Sequence, residues 1–167
     1  MTIAFYITAA IAILSTLMVV TGRHAVHALL YLIVSLFAVA VLFYLIGAPF
    51  AAALEVIIYA GAIMVLFVFV IMMLNLGHDD SLEQRPWFSV RRWIGPTVLC
   101  ALLLAQWLWI LSQGSGESIA GNTVPAKAVG IALFSRYLLA TEMAGLLLLA
   151  ALVGAFHLGR KRTDEPQ

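Results

Sequence analysis

Charge is what this chain has least of. Asp, Glu, Lys and Arg make up 10% of its 167 residues, against about 25% in a typical soluble domain. So few charges cannot cover a water-facing surface. With 64% hydrophobic residues and a mean hydropathy of +1.08, the chain reads as an integral membrane protein. A net charge of +1 offers no basic surface, which sets nucleic acid aside as a partner. Cysteine is nearly missing too. Cys100 stands alone in an apolar run, so there is no intrachain disulfide and no cysteine cluster for an iron–sulfur centre. Glycine-rich phosphate loops, a nucleophile with its base, and a dinucleotide fingerprint are all absent from the sequence. The chain on its own is therefore expected to bind no cofactor and no metal, and to run no redox or hydrolytic step. No basic residue precedes the first apolar run in Met1-Thr2-Ile3-Ala4. A signal peptide needs a positive n-region, so the first segment is expected to be a retained helix. There is no internal repeat and no low-complexity tract.

What remains is apolar and comes in five segments, at about 2–20, 26–46, 51–74, 93–111 and 137–157. Each is near the ~20 residues that a spanning helix needs. Runs of this length satisfy their backbone in lipid as helices, and the alternation of a membrane β-barrel is missing. The expected fold is an all-α polytopic membrane protein with five transmembrane helices in a single membrane domain, 1–167. Gly47-Ala48-Pro49 is expected to be a tight turn whose proline stops the second helix. The stretch 126–131 is expected on the membrane surface. Arg23, Arg85, Arg91, Arg92, Arg160, Lys161 and Arg162 fall on one side of a five-span layout, and Lys127 and Arg136 on the other. The positive-inside rule puts the first side, with the C-terminal tail, in the cytoplasm and the N-terminus outside. Trp87, Trp93 and Tyr137 fit interfacial anchors.

Two ionisable residues lie clearly within spans, Glu55 and Glu142. A carboxylate at a helix centre costs about 2.5–3.5 kcal/mol on insertion scales, so such residues face protein or a wet cavity. One reading makes them proton-relay or gating carboxylates. The plainer reading places both near helix N-termini, where the macrodipole favours negative charge. Tyr59 follows Glu55 by four residues, on the same face of a regular helix, and a buried phenol needs a partner. Ala60-Gly61-Ala62 is small enough to let a neighbouring helix approach. It also suits a π-bulge, an extra residue in one turn. Spacing alone leaves both open. His24, His27 and His157 lack the matched depth of a ligand set and read as loop and helix-end residues. Met64, Met72 and Met73 read as packing. Asp79, Asp80 and Glu83 read as a solvated loop.

The third segment also resembles a known family. The run Glu55-Val56-Ile57-Ile58-Tyr59-Ala60-Gly61-Ala62-Ile63-Met64-Val65-Leu66-Phe67-Val68-Phe69-Val70 is similar to the signature helix of the subunit J family of bacterial proton-pumping NADH:quinone oxidoreductase, respiratory complex I. The mitochondrial counterpart is NADH dehydrogenase subunit six. His27-Ala28-Leu29-Leu30-Tyr31-Leu32, Ala126-Lys127-Ala128-Val129-Gly130 and Ala155-Phe156-His157-Leu158-Gly159-Arg160 extend the likeness over nearly the whole chain. It is weakest at 79–90 and 163–167. The resemblance implies five transmembrane helices and no redox cofactor in this subunit, within a complex that uses NADH, FMN, iron–sulfur clusters and quinone. It implies a place in the membrane arm of the bacterial inner membrane, against subunits A, K and H and near the antiporter-like subunits. It implies a π-bulge around Tyr59 to Val65, in a helix that turns between bulged and regular forms and so makes or breaks a water path. On that resemblance Glu55 and Tyr59 are polar members of the path, Gly61 and Val65 belong to the hinge and gate, and the turn would swap polar for apolar side chains. The competing expectations are the equivalent subunit of a membrane-bound hydrogenase or cation antiporter complex, a purely structural assembly subunit, and a stand-alone transporter.

Overall fold

The structure is a computed structural model, and it describes residues 2–22, 25–74, 90–112 and 122–160. Every regular element among them is helical. Five of the helices are long and apolar enough to cross a membrane. The chain forms two compact units, within Met1–Pro125 and Ala126–Gln167.

The first unit holds α1 (Thr2–Thr21), α2 (Ala25–Leu45), α3 (Pro49–Met73) and α4 (Val90–Ser112). α2 is its centre. It packs against α1, α3 and α4, and α1 also meets α4. Two buried clusters knit α1, α2 and α4 together. One joins Ala4, Val41, Leu45 and Ile110, with Phe5, Tyr44 and Trp107 against it. The Tyr44 and Trp107 rings lie 5.6 Å apart. The other joins Ile11, Val34, Ala38 and Leu103, with Ala12 and Leu99 against it. Ala38 is fully enclosed, which lets α2 sit close to its neighbours.

The α2–α3 turn is closed differently from the sequence expectation. Gly47, at φ 90°, ends α2. The Ala48 N–H donates to the Phe43 carbonyl at 2.9 Å and the Gly47 N–H to the Tyr44 carbonyl at 3.1 Å. This is the pair of bonds of a Schellman cap, which needs a left-handed residue at that point. Pro49 does not stop α2; it opens α3, where its fixed φ is already helical and its missing N–H costs nothing. Hence α3 begins at 49, before the expected 51. The Val124 N–H donates to the Gly47 carbonyl at 2.9 Å and ties a distant stretch of chain to this turn.

α4 starts at Val90, ahead of the expected 93, and carries Pro96 in its interior. Proline removes one backbone donor there. The Thr97 hydroxyl donates to the Trp93 carbonyl at 2.7 Å, one residue on from that break. In the second unit the stretch expected at the membrane surface is a helix, α5 (Ala126–Phe134), succeeded by α6 (Leu138–Gly159). The Tyr137 N–H reaches the Ala132 carbonyl at 3.0 Å, and the Thr141 hydroxyl lies 3.1 Å from the Tyr137 carbonyl and 3.3 Å from that of Leu133. The expected loop features at 79–85, Trp87, His24 and the basic tail lie outside the described residues.

Because Gly47 occupies left-handed backbone, Gly47→Ala is expected to cost about 1–2 kcal/mol. Thermal unfolding of the purified protein in detergent should show a lower midpoint, and an unchanged midpoint would contradict the cap.

Candidate functional site

α3 does not keep one pitch. Pro49–Leu54 is α-helical, Glu55–Ile63 is π-helical, and Met64–Met73 returns to the α form. The Met64 N–H donates to the Tyr59 carbonyl, five residues back. The flanking residues stay in ordinary right-handed geometry, with Leu54 at φ −64°, ψ −39° and Met64 at φ −68°, ψ −35°. The departure is thus one of pairing.

Gly61 sits inside the wide segment for a steric reason. A Cβ there would lie 3.1 Å from the Val56 carbonyl oxygen, five residues back, closer than ordinary contact. Only glycine leaves that carbonyl room without a shift. Ala52, Ala60 and Met64 are the buried side chains of α3, at 7%, 8% and 3% exposure. Of the two readings left open by spacing, the π segment is formed over Ala60-Gly61-Ala62, whereas Ala62 is exposed and a Cβ on Gly61 would meet only the Val56 carbonyl of its own helix.

The bulge lies further toward the N-terminus than the resemblance implied. It runs over 55–63, overlapping 59–65 only in part, so Val65 falls in the regular helix beyond it. Val65 is well exposed on α3. Glu55 is half-buried and is the first residue of the π segment. It comes after the six residues Pro49–Leu54 of regular helix, beyond the first turn. The macrodipole acts within that first turn, so it accounts poorly for Glu55. Tyr59 is 52% exposed. Among the described residues no hydrogen bond joins Glu55 to Tyr59. Both belong to the π segment, Tyr59 four residues on from Glu55. Gly61 is half-buried. Glu142 is exposed on α6, in the second unit.

Residues 64–73, MVLFVFVIMM, carry no polar side chain. A change of pairing rotates the downstream part of the helix by about 100°, but here that only exchanges one apolar group for another. The polar side chains of α3 are Glu55 and Tyr59, both within the wide segment. One polar residue lies beyond the reach of a reading confined to ionisable groups. Gln106 is the only carboxamide inside the five spans, and it forks onto α1, donating to the Ala4 carbonyl at 2.7 Å and the Thr8 hydroxyl at 2.6 Å. A lone amide in an apolar run is a readable signal by the same cost argument.

Among the described residues no group of three or more His, Cys, Asp or Glu could hold a metal ion. The fold and site define a class: a multi-pass, all-helical membrane subunit with one π-helical span and no catalytic centre among its described residues. Residues 15–158 match the family model described as NADH-ubiquinone/plastoquinone oxidoreductase chain 6. The chain is 55% identical over 162 residues to the NADH-quinone oxidoreductase subunit J of Pseudomonas aeruginosa, covering 96% of this chain and 98% of that one. It is 53% identical over 161 residues to that of Escherichia coli K12, covering 96% and 88%, and 46% identical over 162 residues to that of Buchnera aphidicola from Schizaphis graminum, covering 97% and 99%. The chain belongs to the subunit J family of NADH:quinone oxidoreductase, and is a membrane-arm, non-catalytic subunit of that proton translocase. Family membership decides against a hydrogenase or antiporter complex and against a stand-alone transporter.

The steric reading of Gly61 makes a structural prediction. Gly61→Ala presses a methyl on the Val56 carbonyl and gains about 1 kcal/mol of helix propensity. The structure of the variant should show the 55–63 segment re-paired toward the α form, and an unaltered π segment would contradict this.

Proposed function

We propose that α3 is the moving element through which quinone reduction drives proton translocation. The observation that carries this reading is the π segment Glu55–Ile63 in the middle of a membrane span, with a carboxylate at its start and Gly61 where a Cβ would crowd the Val56 carbonyl. π-bulges occur frequently at functional sites. Two pairings of one helix need differ by only a few kcal/mol to be interconverted. In this reading Glu55 and Tyr59 are polar stops on a water path, Gly61 is the hinge, and Val65 is part of an apolar gate on the next turn. Glu142 is a further candidate on α6. The path would run from the quinone cavity toward the antiporter-like subunits, with subunits A, H and K as neighbours. NADH, FMN, iron–sulfur clusters and quinone would be held by other subunits. The excess of basic residues on one side supports a cytoplasmic C-terminus, a periplasmic N-terminus and a place in the bacterial inner membrane.

The purely structural alternative, in which α3 only packs, is separated by mutation. In an assembled complex, Gly61→Leu is expected to lower proton pumping about tenfold, because one to two kcal/mol on a two-state helix shifts its populations by about that factor. Normal turnover with normal pumping in the intact variant would leave α3 a packing helix. Glu55→Gln, measured as pumping across pH, is expected to lose most pumping throughout; an unchanged profile would reduce Glu55 to a structural role.

A further inference from the structure

Polar side chains within the first unit are few, and they cross-link three of its four helices. Gln106 on α4 donates through Nε2 to the Ala4 carbonyl at 2.7 Å and to the Thr8 hydroxyl at 2.6 Å, and that hydroxyl donates to the same carbonyl at 2.8 Å. Thr8 is fully buried. The amide cannot be turned over. Its Oε1 is buried without a partner, and reversing it would set one acceptor against the Ala4 carbonyl, which is another. Further along, the Thr16 and Ser35 hydroxyls meet at 2.8 Å between α1 and α2. Between α2 and α4 the contact is steric. The Tyr31 hydroxyl occupies the place where a Cβ on Gly95 would stand.

α3 shares in none of this. Its buried side chains are Ala52, Ala60 and Met64, all apolar. Among the described residues, no side-chain hydrogen bond joins α3 to another helix. Apolar contacts can be exchanged for similar ones as a helix turns, whereas a carboxamide pulled off its partners in hydrocarbon is left unsatisfied. Hydrogen bonding therefore divides the unit into a part that resists rearrangement and a part that does not.

We propose that α1, α2 and α4 form a fixed frame, with Gln106 as the positioning residue that holds α4 on α1, and that α3 turns against this frame. The proposal rests on the reading of α3 as the moving element. Motion of α3 is productive only if the surface it turns against stays still, so loosening the fork lets the frame give way and uncouples electron transfer from pumping.

The test replaces the hydrogen-bonded clamp by a covalent one in the assembled complex. The background is Cys100→Ala, and the pair is Thr8→Cys with Gln106→Cys. With free thiols the fork is gone, and protons pumped per electron pair are expected to fall by at least about twofold at retained NADH:quinone turnover. Closing the pair with a short bifunctional thiol reagent is expected to restore the ratio, with the Cys100→Ala parent treated alongside. A normal ratio with free thiols, or a lower ratio on bridging, overturns the frame. If the pair prevents assembly, Ala4→Cys with Ile110→Cys, from the neighbouring cluster, leaves Gln106 and Thr8 in place; bridging it must not change pumping, and a loss overturns the proposal. Gly61→Leu separates the two ideas. Should it pump normally, the gating reading fails. Should it stop pumping while the bridged pairs also stop, the gate stands and the frame fails.

Discussion

Inside a bilayer an unpaired backbone N–H or C=O costs several kcal/mol, and the structure of α3 results from that constraint. A span can change shape only through conformations that keep its backbone bonded. The i→i+5 pairing over Glu55–Ile63 is one such conformation, and the α pairing on either side is the other. A helix with a left-handed kink or an open loop at this depth would expose backbone. A helix that shifts its pairing by one residue does not. In the proposed mechanism the two states differ in pairing register and in one crowded carbonyl.

Side-chain chemistry decides where in α3 that freedom sits and what it moves. Gly61 gives the Val56 carbonyl room. Downstream, an entirely apolar Met64–Met73 makes rotation chemically silent in polarity. Upstream, Glu55 and Tyr59 are the polar side chains of α3. The frame supplies the contrast. α1, α2 and α4 are bound by apolar clusters at two levels and by the amide and hydroxyl contacts of Gln106, Thr8, Thr16 and Ser35. The apolar clusters give that block its bulk; the polar links fix its register.

Much of this was legible in the sequence. The five spans can be read from apolar length alone, and their ends agree with the helices to within a few residues. The disagreements have physical causes. Pro49 begins a helix because proline suits a first position, while Gly47, which tolerates positive φ, ends the one before. The length of apolar run said nothing of Pro96 inside α4. Composition could propose a π segment at Gly61 but not choose it over a packing patch, because both want the same small residues. Its position could not be read either, since pairing is a property of carbonyls and N–H groups rather than side chains. Gln106 went unnoticed because the cost of burial was weighed for charges and not for amides.

The proposed mechanism turns on α3 having two pairings in the working enzyme. The most direct measurement is the structure of the assembled complex trapped during steady turnover, with the backbone of residues 55–65 resolved. Two populations are expected, one with i→i+5 pairing through Gly61 and one with i→i+4 pairing, with Glu55 and Tyr59 turned relative to α2 between them. A single π-helical form under resting and turnover conditions alike would contradict it.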